Sequence, residues 1–219
     1  MFEVVQQQHP DFSQTQSFVH ERFRLAYGAD IQAFMPSFVR VKHADGRVRA
    51  VLGYRGANEG KLYLEHYLDD PIEVTLSRYL GHGVSRREIV ELGNLAEVEP
   101  GDARMVIIGA TAFFHRMGFR WVVFTGVTRL RNAFARLGLA PKQLIEVDES
   151  RLPPDEREQW GSYYKGDPVV CFGSLQEGHD NLQELWASLR DTWAAAEEAG
   201  DALRDVASAP ADAEAVVDG

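Results

Sequence analysis

The chain has 219 residues, 45% hydrophobic and 26% charged, a composition ordinary for a soluble globular protein with one sizeable core. A single cysteine, Cys171, excludes an intramolecular disulfide. The net charge is −10, but from Glu197 onward seven acids face only Arg204, which leaves −4 on the rest and no basic footprint for nucleic acid.

The opening stretch, MFEVVQQQHPDF, has no basic region followed by an apolar one, so no signal peptide is expected. The longest strongly apolar stretch, 105–114, is about half of the roughly 20 residues that a membrane-spanning helix needs. A cytoplasmic protein without a transmembrane segment is the expectation. Cys171, inside VVCFG, reads as a small core residue.

Residues 13–27 have helical spacing, with Ser13 and Gln16 as a capping box and Gly28 as the stop. In FVRVKHADGRVRAVLGY two alternating runs flank Asp45–Gly46, which predicts a hairpin with a type I′ turn. KLYLEHYL (61–68) alternates and predicts a third strand. Asp70 as N-cap, Pro71 at the first helical position and Glu73 three residues on predict a helix ending at Gly81.

REIVELGNLA predicts a buried strand over 88–96, with apolar residues on both faces. Strict alternation would put Ile89, Glu91 and Leu95 on one face, and Val90, Leu92, Asn94 and Ala96 on the other. A helix over 103–117, closed by Gly118, and a buried strand, FRWVVFTG, follow. Thr128 caps a helix over 129–137, and QLIEV and DPVVCFG read as two last strands around the loop that carries WGSYY.

Leu182, Leu185, Trp186, Leu189 and Trp193 form an amphipathic stripe suited to docking on the domain or, as a homodimer, on a second subunit. The expected organisation is a domain over 1–178, a C-terminal helix over 179–200 and a disordered acidic tail over 201–219. The order of elements predicts an α/β (α+β sandwich) fold with a mixed, mostly antiparallel sheet flanked by helices.

G-x-x-x-x-G-K-[ST], G-x-G-x-x-G and G-x-S-x-G do not occur. The histidines (9, 20, 43, 66, 82, 115 and 179) are scattered, so no metal site is expected.

The strand, loop, helix and strand of ELGNLAEVEPGDARMVIIGATAFFHRMGFRWVVFTG, followed by RNAFARLGL, resemble the core of the GNAT acyltransferases. Asn132, Phe134, Gly138 and Leu139 loosely match the helix that follows the second strand in those enzymes. YLEHYLDDPIE (63–73), REIVELGNLA (87–96), GFRWVVFTGVTRLRNAFARLGL (118–139) and WGSYY (160–164) resemble the thermostable hemolysin family over roughly residues 9–175. That family looks GNAT-like and is similar in layout to acyl-homoserine-lactone synthases.

The resemblance implies an N-acyltransferase that moves a fatty acyl group from a thioester carrier to a small amine, with no bound cofactor and no metal. Two neighbouring parallel strands, 88–96 and 119–125, would splay apart. Gly93 in mid-strand suggests a bulge or a close backbone approach. Glu91 would act as base, Asn94 would fix the acceptor and Tyr164 would protonate the thiolate; alternatively Glu91 forms an ion pair with Arg104 or Arg131.

Glu65, Tyr67, Trp121, Thr125 and Tyr163 would bind the acceptor, and Arg104, Arg131 and Asn132 the donor. Trp121 also reads simply as core. The GNAT loop [QR]-x-x-G-x-[GA] is replaced by EPGDARMV, in which Asp102 opposes a phosphate, so acyl carrier protein is considered beside acyl-CoA as donor. The rival readings are a membrane-lytic protein, as the family name implies, and a non-catalytic binding module on the same fold.

Overall fold

The computed structural model describes residues 1–208. In chain order, β1 (Phe2–Gln6) leads into α1 (Phe12–Tyr27), the hairpin β2 (Ser37–Lys42) and β3 (Val48–Gly56), and α2 (Ile72–Leu80). Then follow β4 (Ile89–Glu97), α3 (Asp102–Arg116), β5 (Trp121–Gly126), α4 (Thr128–Ala135), β6 (Lys142–Glu146), α5 (Pro154–Gln159), β7 (Val169–Ser174) and α6 (Leu175–Ser208). One seven-stranded sheet runs in the order β1-β2-β3-β4-β5-β7-β6. All its neighbours are antiparallel except β4 and β5. This is the mixed, mostly antiparallel α/β architecture read from the sequence.

Alternation along the strands sends apolar side chains to both faces of the sheet. Val39, Leu52 and Val90 pack against Val106, Ala110 and Phe114 of α3. On the opposite face, Phe38 and Val51 meet Val19 and Phe23 of α1, and Ile89, Val123 and Phe172 meet Ile72 and Leu76 of α2. Cys171 is fully buried, as a small core residue.

Residues 1–182 make one compact unit, and from Gln183 on α6 belongs to a second. That helix begins directly after β7 and runs on past residue 200, while 209–219 of the expected tail lie outside the described residues. Among the described residues, no helix is long and apolar enough to cross a membrane.

Several local expectations need correction. The third strand is instead a short 3-10 helix, Tyr63–Tyr67. Both edges of β3 are already taken, by β2 and β4, so 61–68 has no ladder to join. Three of its amide donors go to carboxylates: Leu62 N–H to Glu65 (2.8 Å), and Tyr63 and Leu64 N–H to Glu91 (3.0 and 2.8 Å).

The hairpin turn is not type I′, because Gly46 has positive φ (88°) but Asp45 does not. Gly46 N–H donates to His43 O (3.1 Å) and the Asp45 carboxylate accepts from Arg47 N–H (3.0 Å), giving a longer loop with a register shift at Val41/Lys42. The expected caps are displaced too. Asp11 precedes α1 but sends its carboxylate to Arg40, Pro71 precedes α2 while Asp70 pairs with Arg78 (2.9 Å), and Thr128 is the first residue of α4 rather than its cap. Strand β1, absent from the predicted elements, pairs along β2.

Candidate active site

Strands β4 and β5 run side by side only from Ile89↔Trp121 to Leu92↔Phe124. Beyond that point β4 stays on β3 as far as Glu97↔Ala50, and β5 stays on β7 as far as Gly126↔Val169. The two strands part at Gly93 and Thr125, and a cavity of about 880 Å³ fills the gap. On the α3 face its walls are mostly apolar, with Leu92, Ile107, Ala110, Phe114, Val122 and Phe124 beside Thr111. On the α1 face they are Tyr27, Tyr63, Tyr67, Trp160 and Tyr163, with Glu91 and Arg55.

A bulge in β4 shapes the gap. Gly93 pairs with Gly53 and Ala96 with Val51, so Asn94 and Leu95 together oppose Leu52. Asn94 takes a left-handed backbone (φ 49°), and its Oδ1 accepts from Met35 N–H at 2.7 Å. The extra residue reverses the facing of all that follows. Ala96 packs with Phe23 and Val51, and Leu95 with the α3 cluster, the reverse of strict alternation. The glycine pair makes room for Met35: a Cβ on Gly93 would lie 2.6 Å from Met35 Cε, and one on Gly53 2.7 Å from Met35 Cβ.

Glu91 is buried, at 2% exposure, and lines the cavity. Neither Arg104 nor Arg131 pairs with it; the backbone N–H groups of Tyr63 and Leu64 do. Burial pushes its carboxyl up to about 7, against the opposing pull of those two donors and of Arg55. A carboxyl balanced there is partly ionised at neutral pH, which suits a general base.

The tyrosines form a hydroxyl network behind it. Tyr67 and Tyr164 share a hydrogen bond of 2.7 Å, Tyr63 OH accepts from Trp160 Nε1 (2.9 Å), and Tyr163 OH donates to Thr125 O (3.2 Å). Burial raises the pKa of each, that of Tyr63 to about 12, so all four stay protonated at neutral pH and can donate.

At the far end of β4, Glu97 turns its carboxylate onto the start of α3. Its Oε2 accepts from the N–H groups of Gly101 (3.3 Å) and Ala103 (3.0 Å), and its other oxygen pairs with Arg129. Asp102, expected to oppose a phosphate, is buried, paired with Arg49 (2.7 Å), and accepts from Glu99 N–H (3.2 Å). The exposed Arg104, Arg129 and Arg136 stand around this end of the cavity.

Of the residues singled out from the sequence, Glu91, Asn94, Tyr67, Thr125, Tyr163, Arg104 and Asn132 line the cavity; Glu65, Trp121, Tyr164 and Arg131 do not. Glu65 is held by Arg86 (2.6 Å) and by Ile72 N–H (2.9 Å). Trp121 packs on Phe172 at 6.0 Å, and Arg131 donates to Gly126 O (2.8 Å) and Asp167 O (3.0 Å). Tyr164 reaches the cavity only through the Tyr67 hydroxyl. Sequence reasoning missed Tyr27, Arg55, Tyr63 and Trp160; only the β3–β4 register, which sequence does not carry, exposes Arg55 as the residue opposite Glu91. Among the described residues, no group of His, Cys, Asp and Glu could hold a metal ion.

Solved structures share this fold. MesI, a CoA-dependent acyl-homoserine lactone synthase, is similar at TM-score 0.54 and 14% identity, over 85% of this chain and 95% of its own. FeeM, an N-acyl amino acid synthase from uncultured soil microbes, is similar at TM-score 0.56 and 10% identity, over 83% and 98%. BjaI, a CoA-dependent acyl-homoserine lactone synthase solved with SAM and isopentyl-CoA, gives TM-score 0.55 and 11% identity, over 84% and 88%. No curated protein matches the sequence. The profile of the thermostable hemolysin family matches residues 5–179, and the chain belongs to that family.

Proposed function

We propose that this protein is an N-acyltransferase that moves a fatty acyl group from a thioester carrier to an amine. The observation that carries the reading is the cavity through the sheet, mostly apolar on the α3 face and lined by Glu91 and tyrosines on the α1 face. An acyl chain suits the first side and a polar acceptor the second. That fold neighbours include CoA-dependent acyl-homoserine lactone synthases and an N-acyl amino acid synthase supports the same class of chemistry.

In the reaction Glu91 takes a proton from the acceptor ammonium, and the neutral amine attacks the thioester carbonyl carbon. The C–N bond forms, the C–S bond breaks, and the second proton of the nitrogen accompanies the thiolate to give a free thiol. The carbonyl oxygen, negative in the tetrahedral intermediate, needs a donor. The bulge at Asn94–Leu95, where one backbone position has no ladder partner, supports a main-chain N–H in that role. Tyr67, backed by Tyr164, is a hydroxyl through which that second proton can pass, taking it from the nitrogen side as it hands its own to the thiolate.

Acyl carrier protein is the favoured donor. Glu97 already fills the amides at the start of α3, which a coenzyme A pyrophosphate would otherwise use, and exposed arginines beside it suit an acidic carrier. Incubation with acyl carrier protein and CoA thioesters of several chain lengths and a panel of amines, read by thiol release and product mass, tests the reading. Release of thiol with an N-acylated product is expected. No release from any donor counts against it.

A further inference from the structure

Arg55 and Glu91 are directly opposed in the register of β3 and β4. Their side chains therefore leave the same face of the sheet, with Cβ atoms about 5 Å apart. Both line the cavity, yet they form no ion pair. Glu91 is bonded to the amides of Tyr63 and Leu64, and Arg55 gives only Nη1 to Lys61 O at 2.9 Å. Among the described residues no carboxylate lies within ion-pair distance of Arg55, which is only half-exposed and keeps further N–H donors. The same lobe is walled by rings: Tyr163 lies 5.3 Å from Tyr27 and 5.1 Å from Trp160, which lies 5.7 Å from Tyr63.

We propose that the acceptor is an α-amino acid with an aromatic side chain, its carboxylate on Arg55, its amine at Glu91 and its ring among Tyr27, Tyr63, Trp160 and Tyr163. This rests on the acyl-transfer reading above. An α-amino acid carries both charges on one carbon and so answers a separated cation and carboxylate on one wall. An amine without a carboxylate would leave the guanidinium desolvated and without an anion. The amine is acylated by the steps already given: its ammonium yields one proton to Glu91 and one to the departing thiolate, and Glu91 returns its proton to solvent.

Binding is measurable apart from turnover. Calorimetry on the full chain would compare L-phenylalanine, phenethylamine, which keeps the ring and amine but lacks the carboxylate, and L-alanine. L-Phenylalanine is expected to bind tenfold to a hundredfold more tightly than phenethylamine, about the worth of a hydrogen bond to a charged group. L-Alanine should bind more weakly than L-phenylalanine. Arg55→Gln should erase the difference between the first two ligands, and Arg55→Lys should keep part of it. Equal binding of phenylalanine and phenethylamine, or an unchanged preference in Arg55→Gln, overturns the proposal.

Thiol release from dodecanoyl thioesters of acyl carrier protein and of CoA, with the same ligands, separates the two readings. Acylation of phenethylamine as readily as of phenylalanine overturns the amino-acid assignment and leaves acyl transfer standing. Carboxylate-dependent binding with no thiol release to any amine overturns acyl transfer, and the role of the bound molecule as acceptor falls with it.

Discussion

The carboxylate of Glu91 accepts the N–H of Leu64 at 2.8 Å, so the candidate base is also the anchor of the short helix Tyr63–Tyr67. Its second oxygen holds Tyr63 N–H, so the walls of the cavity and the base are set by the same side chain. Glu91→Gln keeps the shape but turns an NH₂ toward one of these amides. We expect a loss of stability of about 1–3 kcal/mol by urea unfolding and a fall in turnover of about 10²–10⁴-fold. Undiminished turnover in a folded Glu91→Gln protein would remove Glu91 from the reaction.

The raised carboxyl also fixes a pH dependence. Glu91 holds its proton more tightly in the folded chain, near 7, than in the unfolded one, near 4.5. Its contribution to stability is fully present below pH 4.5 and is lost as the pH rises to about 7. The shift corresponds to a decline on the order of 3 kcal/mol, absent in Glu91→Gln. The value of kcat/KM should move the other way, rising through an apparent pKa near 7 as the base ionises. A flat profile over pH 5–9 would contradict the assignment.

Asn94 combines a left-handed backbone with an acceptor for Met35 N–H. Alanine there loses the acceptor and keeps the strain, whereas glycine loses only the acceptor. Asn94→Ala should therefore destabilise by about 1–3 kcal/mol, and Asn94→Gly by less. Thermal unfolding of the two variants side by side checks the order.

The paired glycines differ in what a methyl group would meet. At Gly93 it meets Met35 Cε, the free end of a flexible chain, and at Gly53 it meets Met35 Cβ, next to the main chain. Gly53→Ala should cost more than Gly93→Ala, with typical overpacking penalties of about 1–3 kcal/mol bracketing the pair. Equal melting temperatures would show that the segment around Met35 shifts as a whole.

On the α3 face, Ala110 is almost fully buried and lines the cavity proposed for the acyl chain. Ala110→Leu should shift the preferred donor to shorter chains, since each methylene displaced from an apolar site forfeits about 0.8 kcal/mol. Relative kcat/KM across donors of stepped length is the readout, and an unshifted optimum would place the chain elsewhere.

The fold was largely legible because its central part is written in apolar runs closed by turn residues. The strand over 88–96, the helix ending before Gly118 and the strand after it appear within a residue or two of their expected limits. The segment 61–68 was misread because Leu62, Leu64, His66 and Leu68 keep a strand period while the amides of Leu62 and Leu64 serve carboxylates, one of them on a distant strand. The facing of Leu95 and Ala96 was misread because a one-residue bulge leaves no compositional mark beyond a glycine. Glu91 and Asn94 stood out as polar residues in an apolar strand, but their partners, Leu64 and Met35, are fixed by chain crossings that local pattern does not encode. Arg55 was invisible for the same reason.

Tyr163 has one further consequence. Thr125 is the first β5 residue past the paired stretch, and its carbonyl takes the Tyr163 hydroxyl in place of a β4 amide. The parting of the strands is thus stoppered open: the carbonyl next in line past the β4–β5 ladder is already engaged by a side chain.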